Sequence, residues 1–144
     1  DFYTNVLGFR ETQRAELEGE WIETIIGLET VKASVAYVVS PAGQPRLELL
    51  QYHSPIGDGF QANSIPNTLG LRHLALSVDN IDSAVQRLRE AGTELLSRPV
   101  VVPTDVIQHS TGQKILCYFH DPDGVLLELT EYRHNSLDSL GRFS

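Results

Sequence analysis

The sequence has a single cysteine, Cys117, so no disulfide can close within the chain, and a reducing, cytoplasmic setting is expected. Lysine is scarce too: Lys32 and Lys114 are the only two, and the formal net charge is −8 with a pI of about 5.0. Such a chain repels a phosphate backbone, which argues against a nucleic-acid partner. A small anionic substrate stays open, because a few well-placed arginines outweigh global charge at short range. No apolar run approaches the roughly 20 residues that a membrane helix needs, so no membrane partner is expected. A secretory signal pattern is also missing from the start. What remains is ordinary for a globular protein, 41% hydrophobic and 21% charged. At 144 residues the chain suffices for one domain with a real core, or for two small modules packed together.

The most informative feature is an internal repeat. Arg46-Leu47-Glu48-Leu49-Leu50-Gln51-Tyr52 matches Leu126-Leu127-Glu128-Leu129-Thr130-Glu131-Tyr132 at an offset of 80 residues. Each copy follows a Pro-x-Gly turn, Pro41-Ala42-Gly43 and Pro122-Asp123-Gly124. Each turn follows a strand whose tyrosine, Tyr37 or Tyr118, stands four residues before the proline. Such a repeat means one supersecondary unit used twice.

The periodicities extend the match. Ala84, Val85, Leu88 and Ala91 form one apolar stripe of a helix over 81–91, with Asp79 or Asp82 to cap it and Gly92 to end it. Residues 2–7 read as the last turns of an equivalent helix, with Gly8 in the role of Gly92. The remaining elements are strands over 9–17, 31–40 and 46–52, then over 71–79, 94–101, 114–121 and 125–132. Residues 20–27 read as irregular or strand, 53–70 as a linker rich in Gly, Pro, Asn and Ser, and 104–113 as a polar connection. The fold class is therefore α+β, with two pseudo-symmetric βαβββ modules over 1–60 and 61–132 and a polar tail over 133–144. The first strand of the first module is expected mostly ahead of Asp1.

Strand alternation sorts the faces. His73 shares a side with Leu71, Ala75 and Ser77, while Leu74, Leu76 and Val78 suit packing under the helix. Glu48 and Glu128 each stand opposite their flanking leucines. A carboxylate so placed must be exposed, paired or bound to a metal, since burying it alone is expensive. Taken singly, each glutamate suits a solvent-facing side of an open sheet. Two equivalent glutamates and a histidine from a repeated unit point instead to a shared metal or acid/base site.

The ordered set Phe2-Tyr3-x-x-Val6-Leu7-Gly8-Phe9, Leu47-Glu48-Leu49, Leu71-Arg72-His73-Leu74-Ala75, Val78-Asp79-Asn80-Ile81, Phe119-x-Asp121-Pro122-Asp123-Gly124 and Leu127-Glu128-Leu129 resembles the vicinal oxygen chelate superfamily, over nearly all of 2–132. That superfamily includes glyoxalase I, methylmalonyl-CoA epimerase, extradiol dioxygenases, and fosfomycin and bleomycin resistance proteins. The resemblance implies paired βαβββ modules forming an open, cupped sheet around a divalent metal, often completed by a dimer, and a homodimer is expected. It implies metal ligands at Glu48, His73 and Glu128, with the fourth position, usually a histidine, falling before Asp1. Imidazole and carboxylate suit Zn, Ni, Co, Mn or Fe. A metal chelating two adjacent substrate oxygens acts as a Lewis acid and stabilises an enediolate, while a carboxylate moves the proton on carbon. Glu128 is the first candidate for ligand and base, with Glu48 its counterpart. The expected function is a glyoxalase-like lyase or isomerase acting on a small substrate with vicinal oxygens. The alternatives are an epimerase, a ring-cleaving dioxygenase, or a metal-free module that binds a drug.

The other candidates are plainer. His53, His109 and His134 fit no pattern, and His120 reads as a turn residue. Arg10, Arg14, Arg72 and Arg98 are candidates for an anionic substrate group. Cys117 reads as buried and inert, and Trp21 and Tyr37 as core.

Overall fold

The computed structural model describes residues 1–59, 65–105 and 112–133. The fold is α+β, with two sheets, and it divides into unit 1, Asp1–Gln61, and unit 2, Ala62–Ser144. The expected polar connection and tail fall largely outside the described residues, as do His109 and His134.

Unit 1 opens with a single π-helical turn, Phe2–Val6, where the last turns of a helix were expected. The antiparallel sheet that follows has the order β1-β2-β3, with β1 at Arg10–Glu18, β2 at Lys32–Val39 and β3 at Arg46–Ser54. Gly8, at φ +74°, turns the chain out of the π-helical turn into β1. Phe9 is then buried, with its ring edge-on to Tyr3 at 5.8 Å. Ile22, Val31, Ala33, Val35 and Val38 join it as the buried apolar residues of this unit.

The segment read as irregular or strand over 20–27 is a helix, α1 (Glu20–Ile26). Its β-branched content (Ile22, Thr24, Ile25, Ile26) mimics a strand. Gly19 and Gly27 decide otherwise: Gly27 takes a left-handed φ of +70°, and its N–H donates to the Glu23 carbonyl at 2.9 Å. So short a helix buries only Ile22, and Trp21, expected in the core, is 55% exposed.

Unit 2 runs β4 (His73–Ser77), α2 (Ile81–Glu90), β5 (Val100–Val101), β6 (Gln113–His120) and β7 (Leu126–Arg133). Its sheet order is β4-β7-β6-β5, parallel between β4 and β7 and antiparallel elsewhere. The expected strand over 94–101 is reduced to β5 and an isolated bridge from Leu95 to Phe119. Pro99 lies between these two pieces and has no N–H to give the ladder.

Helix α2 turns Ile81, Ala84, Val85 and Leu88 inward and packs on β7. The opposing sheet face supplies Leu76, Ile115, Cys117, Phe119, Leu127 and Leu129, all buried. Each large apolar side chain so buried contributes roughly 1.5–3 kcal/mol. The cap of α2 is Asn80 rather than Asp79 or Asp82. Its Oδ1 accepts from the Ser83 N–H at 2.8 Å, a contact typically worth about 1 kcal/mol. Gly92 follows Ala91 at φ +77°, the helix end expected there.

Glu131 ties this helix to the sheet. Its buried carboxylate accepts from the Ile81 N–H at 2.8 Å and from Arg133 Nε at 2.5 Å. Arg133 also reaches Asp82 at 3.5 Å. The Arg133 hydrogen bond, and then the Ile81 N–H, hold the Glu131 carboxyl below its ordinary value of 4.5. A lowered carboxyl stabilises the fold above its unfolded-state value and loses that contribution as pH falls through the folded one. In urea titrations, Glu131→Gln should therefore be less stable than the parent at neutral pH. The gap should narrow steadily as pH drops below 4.5; a gap independent of pH would assign the effect to packing.

Candidate functional site

Three strands of unit 2 carry the candidate site. β4 lies parallel beside β7 with Ala75 opposite Glu128, and β6 lies antiparallel on the other side with Tyr118 opposite Glu128. Side chains two apart share a face, so His73, Glu128, Thr130, Tyr118 and Lys114 all stand on the side away from α2. The turn between β6 and β7 fixes this register. Asp121 Oδ1 accepts from the N–H groups of Asp123 at 3.0 Å and Val125 at 2.8 Å, and Gly124 takes φ +86°.

Glu128 is 3% exposed. Its Oε2 is 3.3 Å from His73 Nε2, and its Oε1 is 2.8 Å from Lys114 Nζ. Oε1 makes no hydrogen bond of proper geometry among the described residues, so Lys114 neutralises it as an ion pair. His73 is held edge-on to the Tyr118 ring at 5.2 Å, and the Lys114 ammonium also sits 5.9 Å from the centre of the Tyr132 ring. Burial, and then the Glu128 carboxylate beside it, push the Tyr118 hydroxyl above its ordinary value. Thr130 is buried on the same face, and its Oγ1 has no hydrogen-bond partner among the described residues.

The contact between His73 and Glu128 is long for a hydrogen bond. Two ligands at about 2.1 Å from one ion stand roughly 3.0–3.4 Å apart, so 3.3 Å suits two neighbouring positions in a metal shell. The donor types, imidazole and carboxylate, suit a divalent transition metal. In neither unit, among the described residues, is a group of three His, Cys, Asp or Glu side chains gathered as a complete site would need.

Unit 1 carries the other glutamate. Glu48 stands opposite Tyr37 in the register of β2 and β3, as Glu128 stands opposite Tyr118. Glu48 is exposed and accepts from Tyr37 Oη at 2.8 Å. That hydrogen bond is the largest cause holding the Tyr37 hydroxyl above its ordinary value. The solvent-facing alternative thus describes Glu48 and fails for Glu128.

The remaining candidates sort simply. His53 lies where the pairing of β2 and β3 shifts register, with Nε2 2.7 Å from Ser34 Oγ, which donates to Glu16 Oε2 at 2.9 Å. His120 precedes the Asp121 turn, as expected. Arg14 pairs with Glu11 at 2.7 Å, Arg10 and Arg98 are exposed, and Arg72 is half-buried. Lys114, Tyr118 and Thr130 were not singled out as site residues from the sequence. Their even spacing on the Glu128 face was the signal that could have found them.

Residues 1–129 match the sequence model of the Glyoxalase/Bleomycin resistance protein/Dioxygenase superfamily. The chain belongs to this superfamily. YaeR of Escherichia coli K12, an uncharacterized protein, is 35% identical over 130 residues, 90% of this chain and 82% of YaeR. The lactoylglutathione lyase of Salmonella typhimurium is 30% identical over 131 residues, 90% of this chain and 79% of the lyase. The crystal structure of a glyoxalase family protein from Bacillus cereus superposes with a TM-score of 0.70 at 30% identity, covering 85% of this chain and 77% of that one. The vicinal oxygen chelate resemblance and the α+β fold class are thereby established.

Cys117 stands opposite Leu129, on the helix-facing side of β6, away from Tyr118. It is fully buried, and burial pushes its thiol up to about 11. Two barriers, access and ionisation, then protect it. An aromatic disulfide reagent at pH 8 should leave the native thiol unmodified over hours and label it completely in urea. Rapid labelling of the folded chain would contradict this burial.

Proposed function

We propose that this chain is a metal-dependent lyase or isomerase of the glyoxalase kind, acting on a small substrate with adjacent oxygens. The observation that carries the reading is the buried Glu128 carboxylate with His73 Nε2 3.3 Å from one of its oxygens. We assign His73 and Glu128 as two ligands of a divalent ion (Zn, Ni, Co, Mn or Fe). The ion, when bound, supplies Lewis-acid polarisation of the substrate's paired oxygens. Both Glu128 oxygens have close neighbours, so holding the ion is its main task. Among the described residues Glu48 accepts a hydrogen bond from Tyr37, and by the repeat it is the counterpart we propose for acid/base work. Thr130 Oγ1, buried and without a hydrogen-bond partner among the described residues, is the hydroxyl we assign to a substrate oxygen. The 30% identity to a lactoylglutathione lyase supports a thiol-derived hemithioacetal as the first substrate to try.

A metal-free binding module is the second reading. Lys114 favours it, since an ammonium already neutralises Glu128. Under either reading we propose a cytoplasmic homodimer built from modules at 1–60 and 61–132, with 133–144 a tail.

Elemental analysis and turnover separate the two readings. For the enzyme, the purified chain takes up about one equivalent of added divalent metal and then isomerises the hemithioacetal of methylglyoxal and glutathione. His73→Ala and Glu128→Gln should then lose metal and lower kcat/KM by on the order of 10²-fold or more. A chain that takes up no metal, with small-molecule binding unchanged in both variants, selects the binding module.

A further inference from the structure

Lys114 is where the two copies of the repeat part company. In unit 2, Lys114 pairs with Tyr132 four residues before Tyr118. The same register position in unit 1 is Ala33, paired with Tyr52 four residues before Tyr37. One of the chain's two lysines therefore stands at a place where the other copy has a methyl group. The glutamate that shares a unit with this lysine is buried, and the glutamate of the other copy is exposed. The lysine itself is largely buried, with its side chain 17% exposed.

We infer that Lys114 is the resident counter-cation of the Glu128 carboxylate, and that a divalent ion enters the site in competition with its ammonium. This rests on the reading of His73 and Glu128 as metal ligands. The carboxylate divides its oxygens, Oε2 toward His73 and Oε1 toward Lys114. Without metal, the ammonium supplies the charge that a buried carboxylate requires. An ion arriving between His73 and Glu128 meets a positive charge already sitting on the far oxygen. The two cations repel through a medium far less screening than water, and each reduces the need for the other. Removing the ammonium has two effects of the same sign: repulsion disappears, and the unpaired carboxylate is left to be neutralised by metal alone. One effect opposes them, since Lys114 also orients Glu128. It is the smaller, because the Glu128 side chain is already enclosed, with Tyr118 opposite and His73 alongside. Lys114 thus makes metal uptake weak and exchangeable.

The test measures Ni²⁺ and Zn²⁺ affinity of the whole chain by competition with a chromophoric chelator. Lys114→Met should bind each ion roughly tenfold or more tightly than the parent, and Lys114→Arg, which keeps the charge, should stay close to it. Adding His73→Ala to Lys114→Met should abolish the gain. In chelator-treated samples Lys114→Met should melt below the parent and recover on adding Zn²⁺. Unchanged or weaker binding by Lys114→Met, with the parent still loading metal, overturns the role of Lys114 and leaves the metal site standing. A gain that survives His73→Ala places the ion elsewhere and also overturns it. No binding by parent or variant removes the metal reading and this inference together. Should Lys114→Met not fold, Lys114→Gln makes the same comparison with a neutral polar side chain.

Discussion

A carboxylate buried in the middle of a sheet dictates the rest of unit 2. Glu128 is 3% exposed, and a charge there is tolerated only with compensation. Lys114 supplies that compensation on one oxygen, and His73 approaches the other. Neither contact is local in sequence. His73 arrives because β4 lies parallel to β7, and Lys114 because β6 lies antiparallel on the opposite side. Parallel pairing demands a crossover, and α2 is that crossover. The helix is thus as much a part of the site as the strands, although it contributes no side chain to it.

Two glutamates three residues apart on β7 divide the work. Glu128 faces the site, and Glu131 faces the helix. The odd spacing sends them to opposite sides of one strand. Glu131 satisfies the first N–H of α2 and draws in Arg133. It thereby secures the crossover that keeps β4 beside β7, and with it the approach of His73. Cys117 and Leu129, paired between the two layers, keep the helix side dry.

Much of this was legible in the residues. The period of two in Leu-Glu-Leu assigned faces, the stripe Ala84-Val85-Leu88 gave α2, and the repeat located both glutamates. The misreadings have physical causes. Glu20–Ile26 is rich in β-branched residues, and its helicity depends on the glycines at its ends rather than on its interior. Trp21, read as core from its size, lies exposed because so short a helix buries only Ile22. Asn80 displaced two aspartates as the cap because its own carbonyl oxygen reaches the Ser83 N–H. Lys114 escaped notice because a lone lysine at a strand start looks like a solvated charge. Only the register of β6 against β7 reveals that its long stem carries the ammonium inward.

The repeat explains why a site of this kind is asymmetric rather than doubled. Both copies preserve the cross-strand pair, Tyr37 with Glu48 and Tyr118 with Glu128, because a hydroxyl opposite a carboxylate suits either environment. Environment then separates them. The exposed Glu48 keeps water as its solvent and needs no ammonium, so Ala33 suffices at the position where unit 2 has Lys114. The buried Glu128 has lost that water, and the lysine replaces it. Identical carboxylates on matching registers thus meet different surroundings: Glu48 is exposed beside Tyr37, and Glu128 is buried between Lys114 and His73.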